Sequence, residues 1–327
     1  MELTKSLKGK LGENNLIVKA SRVFINEFFC AISLISPKLN CKLRYRYNYG
    51  KKLNIDNPET FIEKCNWYKI NIVNKNEIFR LCSDKLAVRS YLHDRGCDGI
   101  LNNLLGVYEN VDDIEFDKLP EKFVLKINDG CGYYIICTDN SRFNEEEAKI
   151  KLKKWWKEHN YLLYAEMQNK ARKRRIIAEE YIEGENGAKQ PTDYKVYCFN
   201  GIPCAILCVW DRDKTVKELF MSPQWDFISE AYGPDFIKKG QTINNIPKKP
   251  KDLEIMLEYA RKLSSPFPFV RCDFYQSNKG VIFGELTFTA AGGMFTAQTD
   301  PKIMDMKKLF KVPCDFHDIK IKRSKEK

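Results

Sequence analysis

Two short runs near the C-terminal end hold the residue types best suited to chemistry: Phe269-Val270-Arg271-Cys272-Asp273-Phe274-Tyr275 and Val281-Ile282-Phe283-Gly284-Glu285-Leu286-Thr287-Phe288. Both are rich in aromatic and β-branched residues, and the turn-forming Ser277-Asn278-Lys279-Gly280 parts them, so the pattern predicts two strands of a hairpin. Side chains alternate across a strand, which puts Arg271 with Asp273 on one face and Glu285 with Thr287 on one face. Pairing of the strands would bring two carboxylates together in apolar surroundings, where they repel unless a proton or cation compensates them. Hard oxygen donors on rigid strands suit Mg²⁺, whose shell is completed by water and substrate phosphate. The same pattern also describes a solvated face on an edge hairpin, and the two strands by themselves do not choose.

Other candidates for phosphate chemistry lie upstream. Phe123-Val124-Leu125-Lys126 reads as a strand ending in a cation, followed by Asn128-Asp129-Gly130-Cys131-Gly132 and a second strand from Tyr133 to Cys137. Glycines let backbone N–H groups approach an anion, and the lysine adds a point charge. A plain hairpin loop explains the glycines equally, and no G-x-x-x-x-G-K-[ST] is present, which excludes P-loop chemistry. Ser83-Asp84-Lys85 predicts a helix start with Ser83 or Asp84 as N-cap and Gly96 as C-cap. Lys85 in its first turn opposes the helix dipole, which points to a task other than helix stability. Ile176 to Ile182 reads as an apolar strand exiting through acids. Its backbone could read an adenine, with Glu179 accepting from the exocyclic amine. Asp193 and Lys195 share a strand face and suit ribose and phosphate.

These residues need a scaffold, and 327 residues suffice for two lobes with a sizeable core. An apolar content of 43% and a net charge of +11 describe a globular chain with an anionic partner. The twelve cysteines include no C-x-x-C, and Cys198, Cys208 and Cys272 fall within apolar strands, where they act as small hydrophobes. The polar, Lys-rich first twenty residues carry no secretory pattern, so a reducing cytosol is expected. No run is long enough to span a bilayer. The nearest, 23–36, suits either a helix packed on the body, which base rates favour, or one lying on a membrane beside Lys5, Lys8, Lys10, Lys19 and Arg22. Helices are expected through residue 83, at about 144–158 and at about 250–263, with short strands over 104–139 and 176–289. Asn200-Gly201 marks a tight hairpin turn, and a basic, frayed tail is expected from 311.

The order of these parts resembles the ATP-grasp superfamily and, more closely, the TupA-like ATP-grasp proteins of bacterial surface-polysaccharide (capsule) biosynthesis. The matching residues are Asn57-Pro58-x-Thr60-Phe61-x-Glu63-Lys64 with Trp67 and Lys69, Asp84-Lys85-x-x-Val88-Arg89, Phe123 to Lys126, and Ile177-Ala178-Glu179. They continue with Asp193-Tyr194-Lys195-x-Tyr197-Cys198-Phe199-Asn200-Gly201, Phe269-Val270-Arg271-x-Asp273-x-Tyr275 and Phe283-Gly284-Glu285-x-Thr287-Phe288. The resemblance covers residues 40 to 310.

The resemblance implies an α+β ATP-grasp fold, two lobes clasping ATP behind a helical N-terminal region. The division would be 1–83 helical, 84–175 the small lobe with its glycine loop, 176–310 the large lobe, and 311–327 the tail. It implies an ADP-forming carboxylate–amine ligase in the cytoplasm, working through an acylphosphate on a uronic-acid glycan or its precursor. Lys85 and Lys126 would hold phosphates, with Asp129, Gly130, Cys131, Gly132 and Tyr133 closing over them. Glu179, Glu180, Tyr181 and Ile182 would read adenine, and Asp193 the ribose. Asp273, Glu285 and Thr287 would hold Mg²⁺, Arg271 and Lys195 would be the catalytic cations, and Arg212 would meet the acceptor. Two positions depart from the superfamily pattern: Thr287 replaces Asn, as is general in the TupA-like group, and Cys131 replaces a small hydroxyl residue. The run Lys170 to Arg175 suits an acidic glycan or an ordinary charged face. Two other classes remain open on sequence. One is a glycosyltransferase using Asp211-Arg212-Asp213, though it lacks surrounding β–α repeats; the other is a nucleic-acid-binding module, though it shows no recognition motif.

Overall fold

The computed structural model describes residues 15–185, 190–211, 216–229, 246–294 and 309–317. The first two described helices are α1 (Leu16–Ile35) and α2 (Pro37–Tyr49), followed by α3 (Phe61–Asn71), α4 (Glu77–Ser83) and α5 (Val88–Asp94). Their boundaries follow local chemistry. Ser36 accepts from the Leu39 N–H with Pro37 in the first turn, and Gly50 stops α2 in the left-handed region. Thr60 and Glu63 form a reciprocal capping box at the start of α3, so the Thr60-x-x-Glu63 part of the sequence pattern is a helix-start device.

The first sheet holds β1 (Leu104–Tyr108), β2 (Phe123–Ile127), β3 (Tyr134–Cys137) and β4 (Ile176–Glu180), in the order β1-β4-β2-β3. Here a boundary must move. The expected division at 175/176 assigns 176–180 to the second lobe, but β4 pairs with β1 and β2 and completes the first sheet. Helix α6 (Glu145–Lys157) covers this sheet through Leu152, and α7 (Asn160–Leu163) follows. The second sheet runs β7-β6-β5-β8-β9, from β5 (Asp193–Phe199), β6 (Ile202–Trp210), β7 (Lys217–Met221), β8 (Phe269–Ser277) and β9 (Gly280–Thr287). Helix α8 (Leu253–Ser264) packs on it. Each sheet carries its own apolar core, and the larger one joins the second sheet to α3, α4, α5 and α8. Every strand pairing among the described residues is antiparallel. Among the described residues there is none of the parallel β–α–β winding that the nucleotide-sugar glycosyltransferase alternative requires.

One expectation about the ends changes. Val312, Cys314 and Phe316 pack against the larger core, with the Phe316 ring 4.8 Å from that of Phe79, so the expected frayed tail is held down as far as Phe316. At the other end, α1 packs on the body through a stripe of Val18, Phe29 and Ser33.

Asn200 and Gly201 turn β5 into β6 with φ of +50° and +79°, the expected tight turn. On β9, Gly284 is the extra residue of a bulge, because Asp273 pairs with Glu285 while Phe274 pairs with Phe283. A Cβ on Gly284 would lie 3.0 Å from the Asp273 carbonyl oxygen and 3.2 Å from the Tyr275 ring. Gly284→Val is therefore expected to force β9 from β8 and to lower stability by about 1–3 kcal/mol in urea unfolding. A loss within a few tenths of a kcal/mol would mean that the strands part at no cost.

Candidate active site

Strands β5, β8 and β9 place the charged residues on one face, opposite the apolar side carrying Val196, Cys272 and Leu286. Register pairs Lys195 with Asp273 and Asp273 with Glu285, and it pairs Tyr197 with Arg271 and Arg271 with Thr287. The carboxylates expected to converge do so. Arg271 Nε donates to Asp273 Oδ1 at 2.7 Å, and Nη2 to Asp273 Oδ2 at 2.6 Å. The same Nη2 donates to Thr287 Oγ1 at 3.1 Å and Glu285 Oε1 at 3.2 Å, while the Thr287 hydroxyl donates to Glu285 at 2.9 Å. Lys195 Nζ sits 2.6 Å from Asp273 and 2.7 Å from Asp193. Asp273 on β8 and Asp193 on β5 are both 2% exposed, while the Glu285 side chain on the edge strand β9 keeps 46% of its surface open.

This balance sets the titration of Glu285, Lys195 and Arg271. Burial would raise the Glu285 carboxyl, but Arg271, then Lys195 and Lys85, overcome it and hold it at about 2. Burial would lower Lys195, and Asp273 and Asp193 outweigh that, so its pKa is raised. Arg271 goes the same way: burial disfavours its charge, and Asp273 more than restores it. Three oxygen acceptors, from Asp273, Glu285 and Thr287, thus converge on one cationic nitrogen. That donor set fits a hard divalent ion, with the Arg271 guanidinium at its focus in this structure. Among the described residues no group of three or more His, Cys, Asp or Glu side chains is placed to hold a metal ion.

The remaining candidates line the facing lobe. Asp84 caps the turn before α5 by accepting from the Leu86 and Ala87 N–H groups, and Gly96 follows the helix at φ +64°. Lys85 Nζ reaches the Gly130 carbonyl at 2.7 Å, so lysine and glycine loop sit together. Gly130 and Gly132 adopt φ of +72° and +80° between β2 and β3. Cys131 stands at the loop tip, open to solvent yet set within the cleft. That partial desolvation, then the Glu285 charge, raises its thiol pKa. The rest of the loop has other partners. Asp129 is buried against Arg174 Nε at 2.8 Å, and the Tyr133 hydroxyl donates to Glu158 from the small-lobe core. Lys126 pairs with Glu179 at 2.6 Å, with Arg89 at 3.8 Å on the other carboxylate oxygen. The Glu180 N–H donates to the Asn103 carbonyl, and its own carbonyl accepts from Asn102. Glu180, Tyr181 and Ile182 border a cleft of about 590 Å³ that Lys279 at the β8–β9 turn also lines. The Lys279 ammonium pairs with Glu180. One hairpin therefore runs from that cleft to the acid cluster.

A family model described as TupA-like ATPgrasp matches residues 63–307, well over half of the sequence. The chain belongs to that family. The ATP-grasp fold expected from the order of its motifs is thereby shown. No curated protein matches the sequence. Among solved structures, the D-alanine–D-alanine ligase of Bacillus anthracis is similar at 16% identity and TM-score 0.41, over 72% of this chain and 66% of that one. Its ATP complex gives 16%, 0.42, 72% and 64%. The D-cycloserine synthetase DcsG gives 14% identity and TM-score 0.37 over 71% of this chain and 68% of that one. The match thus spans about two thirds of the length of these relatives.

Some residues take places the sequence did not announce. Within the basic run, Arg174 is held by Asp129 and the Trp156 and Glu158 carbonyls and ties the glycine loop to the end of α6. Arg175 pairs with Glu109, and Arg172 and Lys173 make solvent-exposed pairs with Glu77 and Glu109. Glu166 is new. The Thr289 hydroxyl donates to its carboxylate and accepts from Gln168. Burial raises the Glu166 pKa against the fully buried Lys69, with Glu285 and Arg271 also in electrostatic reach. Thr289 continues the alternation of Glu285 and Thr287, a signal present in the sequence; Glu166 lies in a segment without periodicity. Arg212, expected at the acceptor, lies outside the described residues. Asp211 of the alternative Asp-x-Asp pattern is paired with Lys217 at 2.7 Å.

Arg271→Met removes one partner of a buried ion pair and is expected to cost about 3–5 kcal/mol in chemical unfolding. In the parent, Glu285 should titrate at about 2 by carbon-detected NMR, and in the variant it should rise toward the ordinary carboxylate range. Because the folded value is depressed, its stabilising contribution is present above the unfolded value of about 4.3 and lost as pH falls through the folded one. A parent Glu285 titrating in the ordinary range would refute the charge balance.

Proposed function

We propose that the protein is an ADP-forming carboxylate–amine ligase, acting on a uronic acid of a surface polysaccharide or its precursor, in the cytoplasm. The observation that carries this reading is the convergence of Asp273, Glu285 and Thr287 on one cationic focus, opposite Lys85 and the glycine loop. It is a site built to gather phosphate oxygens and positive charge together. ATP lies along the β8–β9 hairpin, its base in the cleft at Glu180 to Ile182. Glu179 orients Lys126 toward the phosphates, and Asp193 faces the ribose. Asp273, Glu285 and Thr287 would hold Mg²⁺, which supplies charge neutralisation for the phosphates.

A substrate carboxylate oxygen attacks the γ-phosphorus as the bond to the β-bridging oxygen breaks, giving an acylphosphate and ADP. An amine nitrogen then adds to the acyl carbon, the carbon–oxygen bond breaks, inorganic phosphate leaves, and the nitrogen gives up its proton. Arg271 and Lys195, held cationic by Asp273, stabilise the negative charge developing on the acylphosphate oxygens. Such a contact is worth about 2.7–4 kcal/mol in comparable sites. Lys85 holds the glycine loop through Gly130 and adds charge beside the transferring group.

The test combines Mg²⁺-ATP, hydroxylamine and a panel of uronic acids and nucleotide uronates, with ADP and hydroxamate measured by mass spectrometry. Acid-dependent ADP and hydroxamate are expected, falling by about 10²–10³ in Glu285→Gln while the fold is kept. Lys126→Met should weaken ATP binding in calorimetry by about tenfold or more, as loss of one charge-assisted contact. Absence of ATP binding by the parent protein would sink the ligase reading.

A further inference from the structure

The α1 helix turns an apolar side to solvent. At 100° per residue, Ile17, Val23, Phe24, Phe28, Leu34 and Ile35 lie away from the inward stripe of Val18, Phe29 and Ser33. Phe24 is 75% exposed, Leu34 73% and Ile35 78%, a cost that an isolated surface helix has no reason to carry. Glu27 is the sole charge on that side. The inward side is securely built. The Arg44 guanidinium on α2 stacks 3.9 Å from the Phe29 ring and 4.5 Å from that of Tyr164, and Asn40 donates to the Phe29 carbonyl and to Ser33 Oγ. Ser33 in turn donates to the Leu162 carbonyl in α7. The helix is therefore fixed to the body with its apolar side outward.

Charge identifies the occupant. The first 55 residues hold eleven Lys and Arg against three Glu, so eight of the eleven net positive charges fall in that sixth of the chain. No acid occurs between Glu27 and Asp56. Lys38, Lys42 and Arg46 recur every fourth residue along the exposed side of α2, beside exposed Leu39. An apolar stripe about 30 Å long on α1, followed by an exposed cationic row on the next helix, matches an anionic bilayer surface on both counts. A second copy of the chain matches it poorly, because isologous packing would bring two cationic flanks together. No described helix is long and apolar enough to cross a membrane, which leaves an in-plane arrangement. We infer that α1 lies in the interface of an anionic membrane and docks the protein there, with α2 supplying the electrostatic attraction. This surface is independent of the ligase reading.

The experiment is vesicle flotation of the full chain with phosphatidylcholine alone and with phosphatidylcholine containing one quarter phosphatidylglycerol, at low and high salt. Binding is expected to the anionic vesicles only. Phe24→Ser with Leu34→Ser should reduce it by about tenfold or more. Lys42→Glu with Arg46→Glu should reduce it by about thirtyfold at low salt, with the difference shrinking at high salt. All four side chains are solvent-facing, so thermal unfolding and ATP binding should not change. Flotation equal in parent and variants, or none by the parent, overturns the inference. So does a concentration-dependent dimer in light scattering that Phe24→Ser with Leu34→Ser abolishes without any vesicle binding, since the face would then join two copies.

Discussion

Buried charge must be compensated, and the second sheet is arranged around that requirement. Asp193, Asp273 and Glu285 bring three negative charges to one face, and Arg271 with Lys195 returns two. Lys85, from the other lobe, adds its field at Glu285. Removing Arg271 or Lys195 leaves a buried carboxylate uncompensated in a medium where that is expensive. The residue types at these positions are consequently tied to one another, and the register of β5, β8 and β9 is tied to them. A one-residue slip would send every charge into the apolar side that α8 covers.

The same requirement explains the rest of the cleft. The first sheet offers cations that are themselves held by partners within reach: Lys126 by Glu179, Lys85 by a loop carbonyl, Arg174 by Asp129. Such contacts keep the cations placed, and on the ligase reading proposed above phosphate oxygens would replace or supplement these partners. Arg174 is the exception, closed in on three sides and structural.

Helix α3 joins this cleft to the N-terminal helices. Its fully buried Lys69 donates to the Tyr164 and Gly292 carbonyls at 2.8 Å, and Asn66 donates to the Gly293 carbonyl. The turn that follows β9 and the segment that carries Glu166 are thereby pinned to one helix. Tyr164 also receives Arg44 from α2, so the outward-facing α1 and the acid cluster share a continuous set of packed groups.

Local features were legible in the sequence because local chemistry determines them. Thr60 and Glu63 cap a helix, Asn200-Gly201 turns a hairpin, and alternation on β8 and β9 put Arg271, Asp273, Glu285 and Thr287 on shared faces. The ordered set of motifs carried the family. Tertiary structure alone decided what depends on pairings between distant segments. It placed β4 in the first sheet, and it tied Arg174 of the basic run to the buried Asp129. It brought Glu166 to Thr289 across the chain. It also decided which side of α1 is buried, since a helix with apolar residues on both sides has no single polar face from which a sequence can tell inside from outside.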